Sequence, residues 1–371
     1  MSPLTKKAAG LFFAVALVAS ACGSTETSVA GESIDPDLPT VVVTTNILGD
    51  VVRNIVGDQM NVEVIMPVGA DPHDFQASAQ QVTTIGEADA MIVNGANFEE
   101  GLIDVIWTAR EDGVETFEAI DVVQTLEFDG EDVHDDDEEE DGHDDEEEDG
   151  HDDEEEDGHD DEEEDGHDDE EEDGHDDEED GHDDDEDGHG HDEGGVDPHF
   201  FTDPSRVALA AGGIADFLIE HVEGIDADAL TASADAYVDE LNALDSEIAD
   251  VFAGIDADDR ILVTNHEVFA YMADRYGFEV VGTVIPATST GEGVSAQELV
   301  ELAEVISHEG VPAIFADTSS SSELAETLAA EVGDVEVVEL FSESLGDADS
   351  EGATYTEMVR TNADRIASAL S

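Results

Sequence analysis

The stretch DADALTASADAYVDELNALDSEIADVFA (226–253) places Leu230, Ala234, Tyr237, Leu241, Leu244, Ile248 and Val251 three or four residues apart. That spacing stacks apolar side chains along one face of an α-helix. The helix is long for a single domain, and its flanks show what it joins. Before it, apolar runs alternate with helical patterns. TVVVTTN (40–46) leads into a helix to Gly57, and NVEVIMP (61–67) precedes a helix from Ser78 to Ala88. DAMIVNG (89–95) precedes a helix near Phe98 to Arg110, and VETFEAI (114–120) follows. Pro204, suited to a first helical turn, opens another helix to about Glu220. After the long helix the alternation restarts. RILVTNH (260–266) precedes a helix to Gly277, and FEVVGTVIP (278–286) reads as a strand. SAQE (295–298) has the form of a capping box for a helix ending near Gly310. VPAIFAD (311–317), a helix from about Ser322, VEVVEL (335–340) and a final helix from Thr354 complete the pattern.

Strands that alternate with helices imply parallel sheets. The fold class is therefore α/β, with two parallel-sheet lobes joined by a long rigid linking helix and a cleft between them. The expected boundaries are 40–225 for the N-terminal lobe, 226–255 for the linking helix and 256–371 for the C-terminal lobe. Residues 1–21 read as an export signal, with Lys6 and Lys7 ahead of the apolar run Leu11 to Ala19. Ala19, Ser20 and Ala21 then lead to Cys22, the one cysteine of the chain, which reads as a lipid attachment site. Residues 22–39 form a polar tether. An exported chain with one cysteine forms no internal disulfide.

The formal net charge is -94, from 103 acidic and 9 basic residues. Both lysines lie in the signal, and 45 of the acids fall within 131–193. Such a chain is a poor partner for nucleic acid or an anionic membrane, because phosphate binding needs cationic side chains. Cations are its natural partners, although a uniformly acidic surface also suits a salty habitat.

In open parallel sheets, ligands bind outside the carboxyl ends of the strands. Four side chains stand at such ends. His73 lies in GADPHDF (69–75) and His199 in GVDPHFFTDP (195–204); His266 ends RILVTNH, and Glu343 follows the last strand in ELFSESL. Three imidazole nitrogens and one carboxylate oxygen suit a tetrahedral Zn(II). The repeated Asp-Pro-His is a rigid mount for an inward-facing histidine. Proline fixes its own φ, and Asp71 or Asp197 can close an Asx turn on nearby amides. Asp317, ending VPAIFAD, is the alternative to Glu343 for the fourth position. His221 and His308 sit in the last turns of helices, where a cation suits the dipole, and are left out of the site.

In this order, GADPHDF, DPHFFTDP, NHEVFAYMADRYGF (265–278) and ELFSESL…YTEMVRTN (339–362) resemble the metal-binding lipoproteins of bacterial ABC importers. These are the solute-binding proteins of zinc and manganese uptake, and the chain looks closest to the high-affinity zinc-uptake branch. The resemblance covers roughly 40–125 and 196–371. It implies two lobes with a rigid linking helix and a metal in the inter-lobe cleft. It also implies a monomer on the outer face of the cytoplasmic membrane, anchored only through lipid at Cys22. Delivery would be to an ABC permease driven by a cytoplasmic ATPase. The ligands carried over are His73, His199, His266 and an acidic fourth. The family often has Thr-Asp-Ser where this chain has Ser342-Glu343-Ser344, so the fourth side chain is one methylene longer. His at 266, where manganese binders often carry Glu, tilts the choice from Mn(II) to Zn(II), since nitrogen ligands favour late metals.

Between the two Asp-Pro-His tripeptides, units beginning at His143, His151, His159, His167 and His175 repeat every eight residues, followed by His182, His189 and His191. No apolar residue occurs from His134 to Gly195, so 131–195 is expected to be a disordered acidic insert. Its histidines are candidates for weak, accessory metal binding, as against a merely solvated repeat. An enzyme is disfavoured: a hydrolytic zinc site keeps one position open for water, and no HExxH motif is present. An extracellular zinc buffer or adhesin without a transporter is the reading from another class.

Overall fold

The computed structural model describes residues 34–128 and 195–371, apart from Glu292 and Asp334. Its first half contains β1 (Thr40–Val43), α1 (Asn46–Val56), β2 (Asn61–Val64), α2 (Ala79–Gly86), β3 (Ala90–Val93), α3 (Ile103–Glu111) and β4 (Thr116–Glu118). The strands pair in the order β2-β1-β3-β4, all parallel. Next come α4 (Pro204–His221) and α5 (Ala227–Phe252). The second half contains β5 (Ile261–Thr264), α6 (Ala270–Tyr276), β6 (Glu279–Thr283), α7 (Ala296–Glu309), β7 (Ala313–Asp317), α8 (Glu323–Val332), β8 (Glu336–Leu340) and α9 (Tyr355–Ala369). Its order, β6-β5-β7-β8 and again parallel, repeats the first sheet's connectivity. The α/β class and the two parallel-sheet lobes are thus as the alternating pattern predicts. Among the described residues, no helix is long and apolar enough to cross a membrane.

Parallel sheets covered on both faces need apolar side chains on both sides of every strand. Val41 and Val43 enter a central cluster, while Val42 between them enters an outer one with Met91, Val93 and Ile106. In the second lobe Ala313 and Phe315 face the central cluster, and Ile314 and Ala316 face the outer side. The central cluster is continuous from β1 and α1 through α5 to Tyr271, Tyr355 and Met358. The lobes therefore share one core across their junction.

Helix α5 is the middle of that core. Asp226 caps it by accepting from the Ala229 amide at 3.2 Å, and it packs on α1, α4 and α9. Its buried stripe runs Leu230, Ala234, Tyr237, Leu241, Leu244 and Ile248, but Phe252 rather than Val251 is its last fully buried side chain. The expected capping box holds at Ser295, which opens α7, and the structure adds a second reciprocal box at Ser78, which opens α2. The helix expected from Phe98 begins instead at Ile103. Left-handed backbone at Ala96 (φ 49°) and Asn97 (φ 57°), then a short 3-10 turn at Glu100–Leu102, occupies the difference.

Leu241 is wholly buried in α5. Leu241→Ala should destabilise the chain by about 2–5 kcal/mol through lost burial and the cavity left behind. Urea denaturation followed by circular dichroism measures it.

Candidate metal centre

The four predicted side chains meet. His73 lies in the loop after β2, His199 just ahead of α4, His266 two residues beyond β5 and Glu343 three beyond β8. One ligating atom from each lies within 4.8 Å of all the others, and all four residues are buried. Glu343 Oε1 is 2.7 Å from His73 Nε2 and 3.3 Å from both His199 Nε2 and His266 Nε2. Donors at zinc-ligand distances of about 2.1 Å, placed tetrahedrally, stand about 3.4 Å apart. Two of these edges have that length, and the third is contracted into a direct hydrogen bond. The extra methylene of Glu343 is accommodated, since its Oε1 reaches all three imidazoles.

Buried polar atoms are normally paired. Here His199 Nε2, His266 Nε2 and Glu343 Oε2 have no hydrogen-bond partner and are inaccessible to solvent. A cation among them satisfies what the protein itself leaves open, so the residues fit a metal. Phe98 meets His73 and His199 edge to face at 5.4 and 5.5 Å, and Phe201 meets His199 at 5.9 Å, walling the site with apolar surface.

Both Asp-Pro-His mounts close in the same way. Asp71 Oδ1 accepts the His73 amide and Asp197 Oδ1 accepts the His199 amide, each at 2.9 Å. The rings are braced differently. His199 Nδ1 lies 2.8 Å from Asp197 Oδ1, while His73 Nδ1 lies 2.9 Å from Glu100 Oε1. A carboxylate behind a histidine fixes its tautomer and raises its basicity. The next residue, Gly101, passes so close to the Phe75 carbonyl that any side chain there would collide with it. Glu343 is held by the opposite lobe. Asn46 at the start of α1 donates to Ser344 Oγ at 3.0 Å and accepts the Leu345 amide at 2.7 Å, and the Gly69 amide donates to Ser344 Oγ at 2.7 Å.

Charges follow from this packing. Burial alone would lift the Glu343 carboxyl, but the His266 charge and the three imidazoles packed against it outweigh burial and hold it well below the usual range. Burial would depress His73, yet its bonds to Glu100 and Glu343 prevail and raise it to about 10. His199 is likewise raised against burial, chiefly by Asp197. Asp317, the other sequence candidate, is not among the converging atoms. Its oxygens accept the Ser319 amide and hydroxyl at 2.9 Å, and burial together with the Glu343 charge pushes its carboxyl up. His221 lies 3.3 Å from Glu115 and packs on Phe217, and His308 is exposed beside Glu309; neither is among the converging groups. Cys22 and the insert histidines 143, 151, 159, 167, 175, 182, 189 and 191 lie outside the described residues.

Glu100, Asn46 and Ser344 were not singled out by sequence reasoning. The available signal for Glu100 was an acidic pair, Glu99-Glu100, soon after the β3 strand end. Nothing local distinguishes Asn46 or Ser344, which are joined across 298 residues.

Residues 41–369 match the family model for the periplasmic zinc-uptake complex component A, ZnuA. The chain belongs to this family. Its members are metal-binding solute-binding components of ABC importers, not enzymes. Among curated relatives, the manganese-binding lipoprotein MntA of Halalkalibacterium halodurans is 25% identical over 358 residues, 96% of each chain. The zinc-binding protein TroA of Treponema pallidum is 27% identical over 340 residues, covering 90% of this chain and 89% of the relative. A solved structure of periplasmic zinc-binding TroA from Treponema pallidum superposes with a TM-score of 0.68 at 25% identity, over 90% of this chain and 99% of that one. Relatives named for each metal thus match at comparable identity. The exported, lipid-anchored class expected from the first 22 residues agrees with the lipoprotein names.

His266→Ala should weaken metal binding by more than the about 10- to 100-fold typical of residues that only brace a ligand. The melting temperature should then no longer rise when metal is added, as scanning calorimetry would show. A second expectation concerns pH. His73 in the metal-free chain holds its proton up to about pH 10, and a metal ion must displace it. Apparent affinity should therefore rise with pH across the neutral range, by about tenfold per unit for one released proton. Titration in buffers of different ionisation heat counts that proton.

Proposed function

We propose that the chain captures Zn(II) outside the cytoplasmic membrane and hands it to a cognate ABC permease with a cytoplasmic ATPase, working as a monomer lipid-anchored at Cys22. His73, His199, His266 and Glu343 are the ligands in this reading. The observation that carries it is the convergence of three imidazole nitrogens and one carboxylate oxygen, all buried, at edges close to those of a tetrahedral zinc shell. Nitrogen-rich four-coordinate sites favour late metals, whereas Mn(II) favours more oxygen donors. The family description and the name of the Treponema relative support the same choice. Manganese is the second reading. Its support is the unpartnered Glu343 Oε2, available as a fifth donor, together with the name of the Halalkalibacterium relative.

The acidic histidine stretch serves in this proposal as an accessory collector. Glu127 and Val196 form an antiparallel bridge, and the Phe128 amide donates to Gly195 at 2.8 Å, so the described chain on both sides of the insert is paired at residues three and four before His199. In this proposal the covalent connection at Gly195 gives the collector a high effective concentration at the site.

The test is calorimetric. The chain from residue 23, with and without 131–193, is stripped of metal and titrated with zinc and with manganese. One tight zinc site should survive the deletion and disappear in His199→Ala. Tight binding that vanishes with the deleted segment would place the functional element in the repeat, and a preference for manganese would replace the metal. In scarce zinc, uptake by cells carrying the deletion should fall; unchanged uptake would remove the collector role.

A further inference from the structure

The loop between β6 and α7 supplies none of the converging atoms, yet it touches the supports of two of them. At its base the Ala287 carbonyl accepts the Glu267 amide at 3.0 Å, and Glu267 follows His266 directly. The Ile285 amide donates to the Asn265 carbonyl, on the other side of His266, at 2.9 Å. At its tip the loop crosses to the first lobe. Thr290 Oγ1 donates to Asp71 Oδ2 at 2.6 Å, across 219 residues, and its neighbour Ser289 stands near enough to Glu100 to help hold that carboxyl low. The other oxygen of Asp71 holds the His73 amide, and Glu100 holds the His73 ring. One hydroxyl of this lobe therefore rests on the carboxylate that sets the backbone of a histidine in the other lobe, and the hydroxyl next to it faces the carboxylate that sets that histidine's ring. The tip stands at solvent: Asp71 and Thr290 line an open groove of about 620 Å³ together with Asp74, Asn265, Ser320 and Glu323.

We propose that residues 285–291 are a strap across the mouth of the cleft. Ser289 and Thr290 are positioning residues for His73, and the strap sets the rate at which the bound ion leaves. The proposal rests on the metal reading above. Hydrogen bonds to ionised carboxylates are the stronger kind, and these must break before His73 and its mount can swing away from Glu343. The strap is also fastened on both sides of His266. Strain at the tip is thus transmitted to one ligand from each lobe, while His199 and Glu343 keep their own supports, Asp197 and the Asn46–Ser344 clasp.

The test is the dissociation rate of zinc, followed by stopped-flow mixing of the loaded chain with an excess of a chromogenic chelator. Thr290→Val and the pair Ser289→Ala with Thr290→Val should lose zinc about 10- to 100-fold faster than the parent. Thr290→Ser, which keeps the hydroxyl, should restore the parent rate. Cobalt(II) in place of zinc should show ligand-field bands displaced in Thr290→Val and normal in Thr290→Ser, and the melting temperature of the metal-free chain should not change. A dissociation rate equal to the parent's in both variants overturns the strap. So does a lowered metal-free melting temperature with an unchanged rate, which would make the contact merely structural. The parent is measured first, and a parent that holds no zinc tightly overturns the reading of the site itself.

Discussion

A carboxylate taken out of water without a cation beside it is among the costliest groups a fold can contain. Glu343 is 2% exposed and lies against three imidazoles that are themselves buried. The rest of the architecture is arranged so that this happens. Two sheets of the same connectivity turn their strand ends toward one another, each contributing two of the four side chains. The imidazoles hold the Glu343 carboxyl low, and Glu100, Asp197 and Glu343 together raise His73 and His199.

Such a cluster is stable only if its walls are stiff. The stiffness comes from contacts that cross between the lobes. The central core runs without interruption through α5, so the lobes share buried side chains such as Leu241 and Leu244. Asn46 of the first lobe clasps the Ser344–Leu345 backbone of the second. Tyr271 of the second donates to the Asp197 carbonyl at 2.6 Å, beside the second Asp-Pro-His mount. Glu343 and His199 are thus each supported by a residue from the other half of the chain. A small relative movement of the lobes disturbs the donor set, and a metal bound among the four would join the halves.

Solute capture asks for tight, selective binding and then for release. Tight binding follows from preformed donors with buried, unpartnered atoms, because little reorganisation is spent at the moment of binding. Release requires a part that can give way without unfolding the rest. The helix-centred core is poorly suited to that, whereas hydroxyl-to-carboxylate bonds at the rim of the cleft can open at local cost.

Much of this was legible in the sequence because it depends on periodicity and local geometry. Apolar runs alternating with helical stripes specify parallel strands buried on both faces, and the stripe of 226–253 specifies the helix between the sheets. Proline before histidine, with aspartate before proline, specifies a mount whose turn closes on its own backbone, whatever surrounds it. That is why His73, His199, His266 and Glu343 could be placed at strand ends. The late start of α3 was not legible, since it comes from left-handed backbone at Ala96 and Asn97, neither of them glycine. The choice of Glu343 over Asp317 as the converging carboxylate was decided by tertiary structure. Asp317 ends β7 and Glu343 comes three residues after β8, but only Glu343 lies within reach of all three imidazoles, while Asp317 is turned onto Ser319. Glu100, Asn46, Ser344 and Thr290 likewise acquire their roles only in the folded chain. Their partners lie 27 to 298 residues away, and no local pattern records which carboxylate or hydroxyl will arrive opposite them.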